Sequence, residues 1–224
     1  MTAPGGTALV VVDLQNDFCA GPRAASRYPG DPARLERVTA NTGRAVAAAR
    51  ERGTEVVFVR FLGDTRYQGD SWRRRDAALG KRPKCQEGSW GAEFAAGVEP
   101  ETGEAVFTKR ACFDAFLGEG FERHLIGRGT RHLVFAGLFA DVCVDSTART
   151  AFQKGFHVTV LRDCTTALHL PDEQILSFMG RVYGARITTG DQAEVWSRTP
   201  GEEEDTCPAP TPPSRTVASP GASG

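Results

Sequence analysis

The sequence has no apolar stretch long enough to cross a membrane and no strong excess of charge of either sign. Its 224 residues include 27 Lys and Arg against 28 Asp and Glu, which gives a formal net charge of −1. A chain this close to neutral has no basic field that would attract nucleic acid or an anionic membrane surface. The apolar run near the N-terminus is too short for a signal peptide and has no basic residues before it. We therefore expect neither nucleic-acid nor membrane partners.

Paired cysteines are also absent. The six cysteines form no CxxC pair and stand at positions 19, 85, 112, 143, 164 and 207. This scatter argues against a disulfide scaffold and a zinc ribbon. The sequence also contains no Walker A loop, no GxGxxG motif and no GxSxG nucleophile elbow. These absences favour a reduced, cytoplasmic globular protein that needs no cofactor of those classes.

The residues that are present alternate between strand and helix signals. Apolar runs predict strands over 8–13, 54–60, 104–109, 132–137, 157–163 and 185–189. Amphipathic stretches predict helices over 33–51, 117–127, 143–154 and 172–183, with a short helix around 72–79. Runs that are apolar on both faces are typical of parallel sheets covered on both sides. The alternation predicts an α/β three-layer sandwich with a mostly parallel, roughly six-stranded sheet flanked by helices.

The length of the chain suits one domain, which we place over residues 1–197. Within it, the segment 61–103 is irregular and rich in glycine, and we interpret it as an excursion over the sheet. The remaining residues, 198–224, are rich in Pro, Ser, Gly and Glu. This composition cannot bury a core, so a disordered tail is predicted there.

Three chemically active side chains fall where predicted strands end. Asp13 ends the first strand, Lys109 ends the third, and Cys143 follows the fourth at the start of a helix. Each alone has an ordinary structural explanation, as a turn cap, a solvated strand end or a core thiol. Sites in open parallel sheets form at the carboxyl ends of the strands, which would bring the three together. A thiol in a first helical turn is also expected to favour the thiolate.

Three sequence blocks carry a resemblance to a known family. The blocks are "ALVVVDLQNDFC" (8–19), "VFTKRACFDAF" (106–116) and "GLFADVCVDSTARTAF" (137–152). They resemble the signature blocks of the isochorismatase-like cysteine hydrolases, and "GSWGAEF" (88–94) is similar to a block of many amidase members. The resemblance covers roughly residues 8–196, with every block in the family order.

The resemblance implies a role for each matching residue. Asp13 corresponds to the catalytic aspartate, Lys109 to the catalytic lysine and Cys143 to the nucleophile. The backbone N–H groups of Phe139 and Cys143 correspond to the oxyanion hole, and the Leu138–Phe139 peptide bond to a cis bond. The resemblance also implies a homo-oligomer, either a dimer or a tetramer.

The blocks and strand ends suggest which side chains line the substrate pocket. We expect Phe18, Trp90 and Phe139 there, together with Arg60 at the end of the second strand. The run "WRRRD" (72–76) could contact an anionic substrate, but a solvated helix face is the favoured interpretation. No histidine is placed to pair with Cys143.

Departures from the family pattern reduce the range of activities that the sequence fits. The stretch "FLGDTRYQGD" (61–70) contains no histidine, so we predict no metal in the pocket and disfavour a nicotinamidase-like activity. Isochorismatases proper have glycine where this chain has Cys143, which disfavours an isochorismatase-type activity. The sequence therefore predicts a cysteine-dependent hydrolase of an amide, carbamoyl or ureido C–N bond in a small molecule, acting through a thioester. The alternative is a catalytically idle relative that serves as a binding or assembly module.

Overall fold

Six parallel strands form a single sheet in the computed structural model, which describes residues 6–192 and 195–196. The strands are β1 (Gly6–Val12), β2 (Glu55–Leu62), β3 (Ala105–Arg110), β4 (Thr130–Leu138), β5 (His157–Thr166) and β6 (Arg186–Thr188). Their order across the sheet is β3-β2-β1-β4-β5-β6, and every neighbouring pair is parallel. The predicted α/β fold is confirmed.

Helices cover both faces of this sheet. They are α1 (Asn16–Cys19), α2 (Gly21–Ala25), α3 (Arg34–Glu51), α4 (Asp70–Ala78), α5 (Phe121–Gly127), α6 (Asp145–Gln153) and α7 (Asp172–Tyr183). The apolar stripe of α3 packs with the side chains of Leu9 and Val11 on one face. On the other face, α5, α6 and α7 pack against Val10 and Val12. Alternate residues of β1 thus enter opposite cores, which explains why the whole strand is apolar.

The strand order reverses between β1 and β4. From β1 the chain passes to β2 and β3 on one side of the sheet, and it returns to β4, β5 and β6 on the other. The connections that leave β1 and β4 at their carboxyl ends therefore diverge and open a crevice. The segments that follow β1 and β4 carry Asp13 and Cys143, so the topology alone brings these residues to one place.

Several element boundaries differ from those predicted. Residues 143–154 were expected as one helix, but a π-helical turn, Ala140–Val144, precedes α6. The stretch 117–127 contains a helix only from Phe121, because Gly120 has a left-handed φ of 83° that begins α5 there. The short helices α1 and α2 were not predicted at all.

The predicted tail, 198–224, and the predicted domain end at 197 lie outside the described residues. No helix within the described part of the chain is long and apolar enough to span a lipid bilayer.

Candidate active site

The site begins with a tight turn directly after β1. Asp13 has a φ of 53°, in the left-handed region that aspartate tolerates better than most side chains. Its N–H donates to the Val59 carbonyl of β2 at 2.9 Å, and its own carbonyl accepts from the Gln15 N–H at 2.8 Å. These bonds fix the backbone of a residue whose side chain is only 1% exposed.

Lys109, on β3, forms a buried ion pair with this carboxylate. Its Nζ lies 2.6 Å from Asp13 Oδ2 and also donates to the Phe113 carbonyl at 2.9 Å. A buried ammonium group is costly unless it is paired and hydrogen-bonded, and here both conditions are met. Asp13 Oδ1, by contrast, is buried and has no hydrogen-bond partner among the described residues. One carboxylate oxygen is therefore held, while the other remains able to accept a proton.

Burial and charge act in opposite directions on this pair. Burial raises the pKa of the Asp13 carboxyl group, and the charge of Lys109 partly offsets the rise. Burial alone would lower the pKa of Lys109, but the Asp13 carboxylate and Cys143 raise it above its ordinary value. Lys109 therefore stays protonated near neutral pH and can act as a fixed positive charge.

Cys143 lies in the π-helical turn that follows β4. The Leu138–Phe139 peptide bond before this turn is cis. The Phe139 carbonyl accepts from the N–H groups of Val142 and Val144, at 3.0 and 3.2 Å, and not from that of Cys143. The Cys143 carbonyl accepts from Thr147 Oγ1 at 2.8 Å, which ties the turn to α6. In this π-helical turn, the N–H groups on either side of Cys143 donate to the Phe139 carbonyl, whereas the Cys143 N–H does not.

The Cys143 thiol is only slightly exposed and is influenced by both members of the ion pair. Burial raises its pKa, Lys109 opposes that rise, and Asp13 adds to it. The expectation that the helix N-terminus favours a thiolate is therefore wrong for this structure, because desolvation outweighs the nearby positive charge. The resting site is a neutral thiol beside a carboxylate, and it needs a base to become a nucleophile.

A cavity of about 400 Å³ opens onto Asp13 and Cys143. Phe18 and Phe139 line it as expected, with their ring centroids 6.0 Å apart in an edge-to-face arrangement. Arg60 does not, because alternate residues of β2 face opposite sides and Arg60 bonds Thr108 Oγ1 at 2.9 Å. Trp90 also lies outside this cavity, and its side chain is 58% exposed. The expectations for Arg60 and Trp90 are corrected accordingly.

Sequence reasoning missed part of the cavity wall, which comes from the irregular segment. Trp72 and Arg75 of α4 line the cavity, although "WRRRD" was interpreted as a solvated helix face. The two residues are three apart, so they share one side of the helix, and this spacing was the available signal. His169 lines the cavity too, but the charged groups that act on the Cys143 thiol are Lys109 and Asp13.

Asp141, two residues before Cys143, lines the cavity and organises one of its walls. Its carboxylate accepts the N–H groups of Leu168, His169 and Leu170 at 2.7 to 3.0 Å. The side chain thereby joins the turn that carries Cys143 to the loop after β5.

The described residues contain no group of three or more His, Cys, Asp or Glu side chains placed to hold a metal ion.

Comparison with known proteins identifies the family. The isochorismatase domain family matches residues 7–192. The chain belongs to this family. Ureidoacrylate amidohydrolase RutB from Pseudomonas syringae pv. syringae (strain B728a) is 33% identical over 175 residues, covering 72% of this chain and 71% of that relative.

Solved structures agree with this assignment. N-carbamoylsarcosine amidase from Thermoplasma acidophilum has a TM-score of 0.70 and 26% identity, covering 84% of this chain and 99% of that one. Nicotinamidase PncA from Bacillus subtilis has a TM-score of 0.69 at 23% identity, covering 82% and 99%, and it shows the shared fold alone. Within the isochorismatase family, this chain is a hydrolase of the amidase branch that acts on carbon–nitrogen bonds.

Proposed function

We propose that this protein hydrolyses an amide, carbamoyl or ureido bond of a small molecule through a covalent thioester on Cys143. The observation that supports this proposal most directly is the buried Lys109–Asp13 pair with one free carboxylate oxygen beside a protonated thiol. A neutral thiol needs a nearby base, and a carboxyl group with a raised pKa is better matched to that role.

In the first half-reaction, Asp13 takes the thiol proton and Cys143 Sγ attacks the carbonyl carbon of the substrate. The negative charge that develops on the carbonyl oxygen is bound by the N–H groups of Phe139 and Cys143. The C–N bond then breaks, and the leaving nitrogen takes the proton from Asp13. Ammonia or an amine departs, and the acyl group remains on Cys143 as a thioester.

In the second half-reaction, Asp13 takes a proton from water and the resulting hydroxide adds to the thioester carbon. The C–S bond breaks, and the proton returns to the sulfur. The products are a free carboxylic acid, or a carbamic acid that loses carbon dioxide, and the original thiol. Lys109 acts throughout by holding Asp13 in place and by offsetting negative charge on the sulfur.

Relatives support the substrate class. The names of ureidoacrylate amidohydrolase RutB and of N-carbamoylsarcosine amidase both refer to C–N bonds of ureido or carbamoyl compounds. We therefore place ureido and carbamoyl compounds, ureidoacrylate among them, ahead of simple amides. A catalytically idle binding module is disfavoured because it would have no physical need for Asp13, Lys109 and Cys143 together.

An ammonia-release screen tests this function. Purified protein is incubated with ureido acids, N-carbamoyl amino acids, aliphatic amides and nicotinamide, and ammonia is measured. We expect turnover of at least one ureido or carbamoyl compound, with Cys143→Ala retaining less than about 1% of the rate. Cys112→Ala is the matched control, because Cys112 is a half-buried thiol that contacts the Asp114 carbonyl and does not line the cavity. Ammonia release that survives in Cys143→Ala would contradict the proposed mechanism.

We also propose a cytoplasmic homo-oligomer, either a dimer or a tetramer. Both statements depend on the family resemblance and the scattered cysteines. Sedimentation of the purified protein measures its assembly state, and a monomer at micromolar concentration would contradict this part of the proposal.

A further inference from the structure

The wall of the cavity that comes from the irregular segment is basic. Arg75 at the end of α4 and the following Lys81 and Arg82 all line the cavity, and we call these three residues the cationic rim. Lys81 and Arg82 have no carboxylate partner among the described residues. Lys84 lies in the same wall. Lys81 and Arg82 therefore present positive charge to the cavity that no carboxylate of the described residues neutralises.

The carboxylates of the cavity are already engaged. Three of them line it, and each has partners within the protein. Asp13 is paired with Lys109, Asp141 holds the three N–H groups of the loop after β5, and Asp76 accepts from Arg75 at 2.6 and 2.9 Å. A local excess of positive charge results, although the chain as a whole has a formal net charge of −1.

Arg75 is the member of the rim whose position is best fixed. Its guanidinium carbon lies 4.1 Å from the centroid of the Trp72 ring and 5.7 Å from that of Phe113. Its Nε and Nη2 donate to a single oxygen of Asp76, which leaves Nη1 available to another acceptor. A guanidinium group held by stacking loses little freedom when it binds a carboxylate.

A continuous aromatic surface joins Arg75 to the catalytic pair. The Phe113 carbonyl accepts from Lys109, and the Phe113 ring lies 4.8 Å from the Trp72 ring. Trp72 in turn stacks on Phe61 at 6.1 Å with an interplanar angle of 24°. A small molecule with its carbonyl group at Cys143 could thus lie along apolar rings and place its far end among positive charges.

From this arrangement we propose that the substrate carries a carboxylate at the end remote from its scissile C–N bond, and that Arg75 with the cationic rim binds this carboxylate. The inference depends on the proposed function, because it uses the same cavity and places the reacting carbonyl at Cys143. It makes Arg75 a residue that determines specificity.

Matched pairs of compounds separate the carboxylate from the rest of the molecule. Ureidopropionate and propylurea have the same ureido group and three-carbon chain, but only the first has a carboxylate. Each acid of the ammonia-release screen is paired in this way with its neutral counterpart. Binding is measured by calorimetry on Cys143→Ala, and turnover is measured on the unsubstituted protein.

Charge removal at the rim is compared with charge removal on the same helix outside the cavity. We expect Arg75→Gln to weaken binding of the preferred acid by about tenfold or more, and to leave its neutral counterpart within about twofold. Arg75→Lys should restore only part of the loss, because the planar guanidinium edge is missing. Arg74→Gln is the control, since Arg74 is exposed and does not line the cavity. It should leave both compounds unchanged.

The two proposals can fail separately. Turnover of neutral compounds as fast as that of the matched acids, or an equal loss of both in Arg75→Gln, would overturn the carboxylate inference and leave the hydrolase proposal standing. Preferential binding of acids without turnover of any compound would support the carboxylate site and contradict the proposed function. If no acid in the series binds more tightly than its neutral counterpart, the carboxylate inference is wrong.

Discussion

The two ends of the sheet each bury a polar cluster, and the clusters differ in one respect. At the amino ends of β4, β1 and β5, the His132 ring lies 3.3 Å from Thr7 Oγ1 and 2.8 Å from Thr159 Oγ1. Burial, followed by repulsion from His157 and Arg186, lowers the pKa of His132 to about 4. At the carboxyl ends, Asp13 and Lys109 are equally buried but form an ion pair, and Asp13 Oδ1 has no hydrogen-bond partner among the described residues.

The difference shows what distinguishes a structural polar cluster from a reactive one. Both ring nitrogens of His132 have hydrogen-bond partners and the imidazole is neutral at pH 7. Its role is therefore structural. The unpartnered Asp13 Oδ1 carries a desolvation penalty that folding alone does not explain. Such an atom is expected where a reaction later supplies the missing proton.

The largest expected effect comes from removing the free acceptor at the carboxyl end. Asp13→Asn keeps the size of the side chain but cannot take the thiol proton, so kcat should fall by about a thousandfold. The double variant Asp13→Asn with Cys143→Ala should cost little more than the worse single change, because the two groups act as one unit. Steady-state kinetics on a confirmed substrate measures both losses. Fully additive losses would show that Asp13 and Cys143 work independently.

The amino end should respond to pH through stability rather than activity. His132 titrates near 6.5 when unfolded and about 4 when folded, so its contribution to stability is complete above pH 6.5 and is lost as pH falls toward 4. The free energy of unfolding should therefore fall by up to about 3 kcal/mol over that range.

Urea unfolding at several pH values measures this slope. His132→Gln should flatten it, whereas His157→Gln, at an exposed neighbour, should leave most of it in place. An unchanged slope in His132→Gln would assign the pH dependence to other groups.

A smaller effect is expected at the junction between the reactive turn and the loop after β5. Asp141→Asn leaves fewer acceptors for the three N–H groups of residues 168–170, so the loop should loosen. We expect kcat/KM to fall by about tenfold, and hydrogen exchange at these amides to become faster. Asp191→Asn is the control, because Asp191 is exposed and, among the described residues, its carboxylate accepts from Thr189 Oγ1 and from no part of the 168–170 loop. Unchanged exchange at residues 168–170 would show that Asp141 does not hold the loop.

The smallest effects should come from Arg60 and Trp90, which lie outside the cavity. Arg60→Gln and Trp90→Ala should each change kcat/KM by less than about threefold, since neither side chain contacts the site. A change in kcat/KM of tenfold or more at either position would show that its side chain does belong to the substrate pocket.

Much of the fold followed from local patterns. The apolar runs that became β1, β2 and β4 are buried on both faces, so their signal is strong and their placement came out nearly right. The positions of Asp13, Lys109 and Cys143 at strand ends followed from the same patterns and from the sequence blocks around them.

The remaining features depend on contacts between distant segments. The position of Trp72 depends on its stacking with Phe61 and Phe113, which lie on other segments and which helix periodicity does not reveal. The direction in which the pKa of Cys143 shifts depends on how deeply the thiol is buried, and a short sequence block does not reveal that depth. The spacing of apolar residues also cannot distinguish the π-helical turn before α6 from an α-helical one.

Trapping the covalent intermediate tests whether Cys143 is the nucleophile. A confirmed substrate is mixed with the protein, the reaction is stopped with acid within the first turnovers, and the digested protein is analysed by mass spectrometry. We expect an added acyl or carbamoyl mass on the peptide that contains Cys143, present during turnover and absent from Cys143→Ala. Full turnover with no adduct, accompanied by an active Cys143→Ala protein, would contradict it.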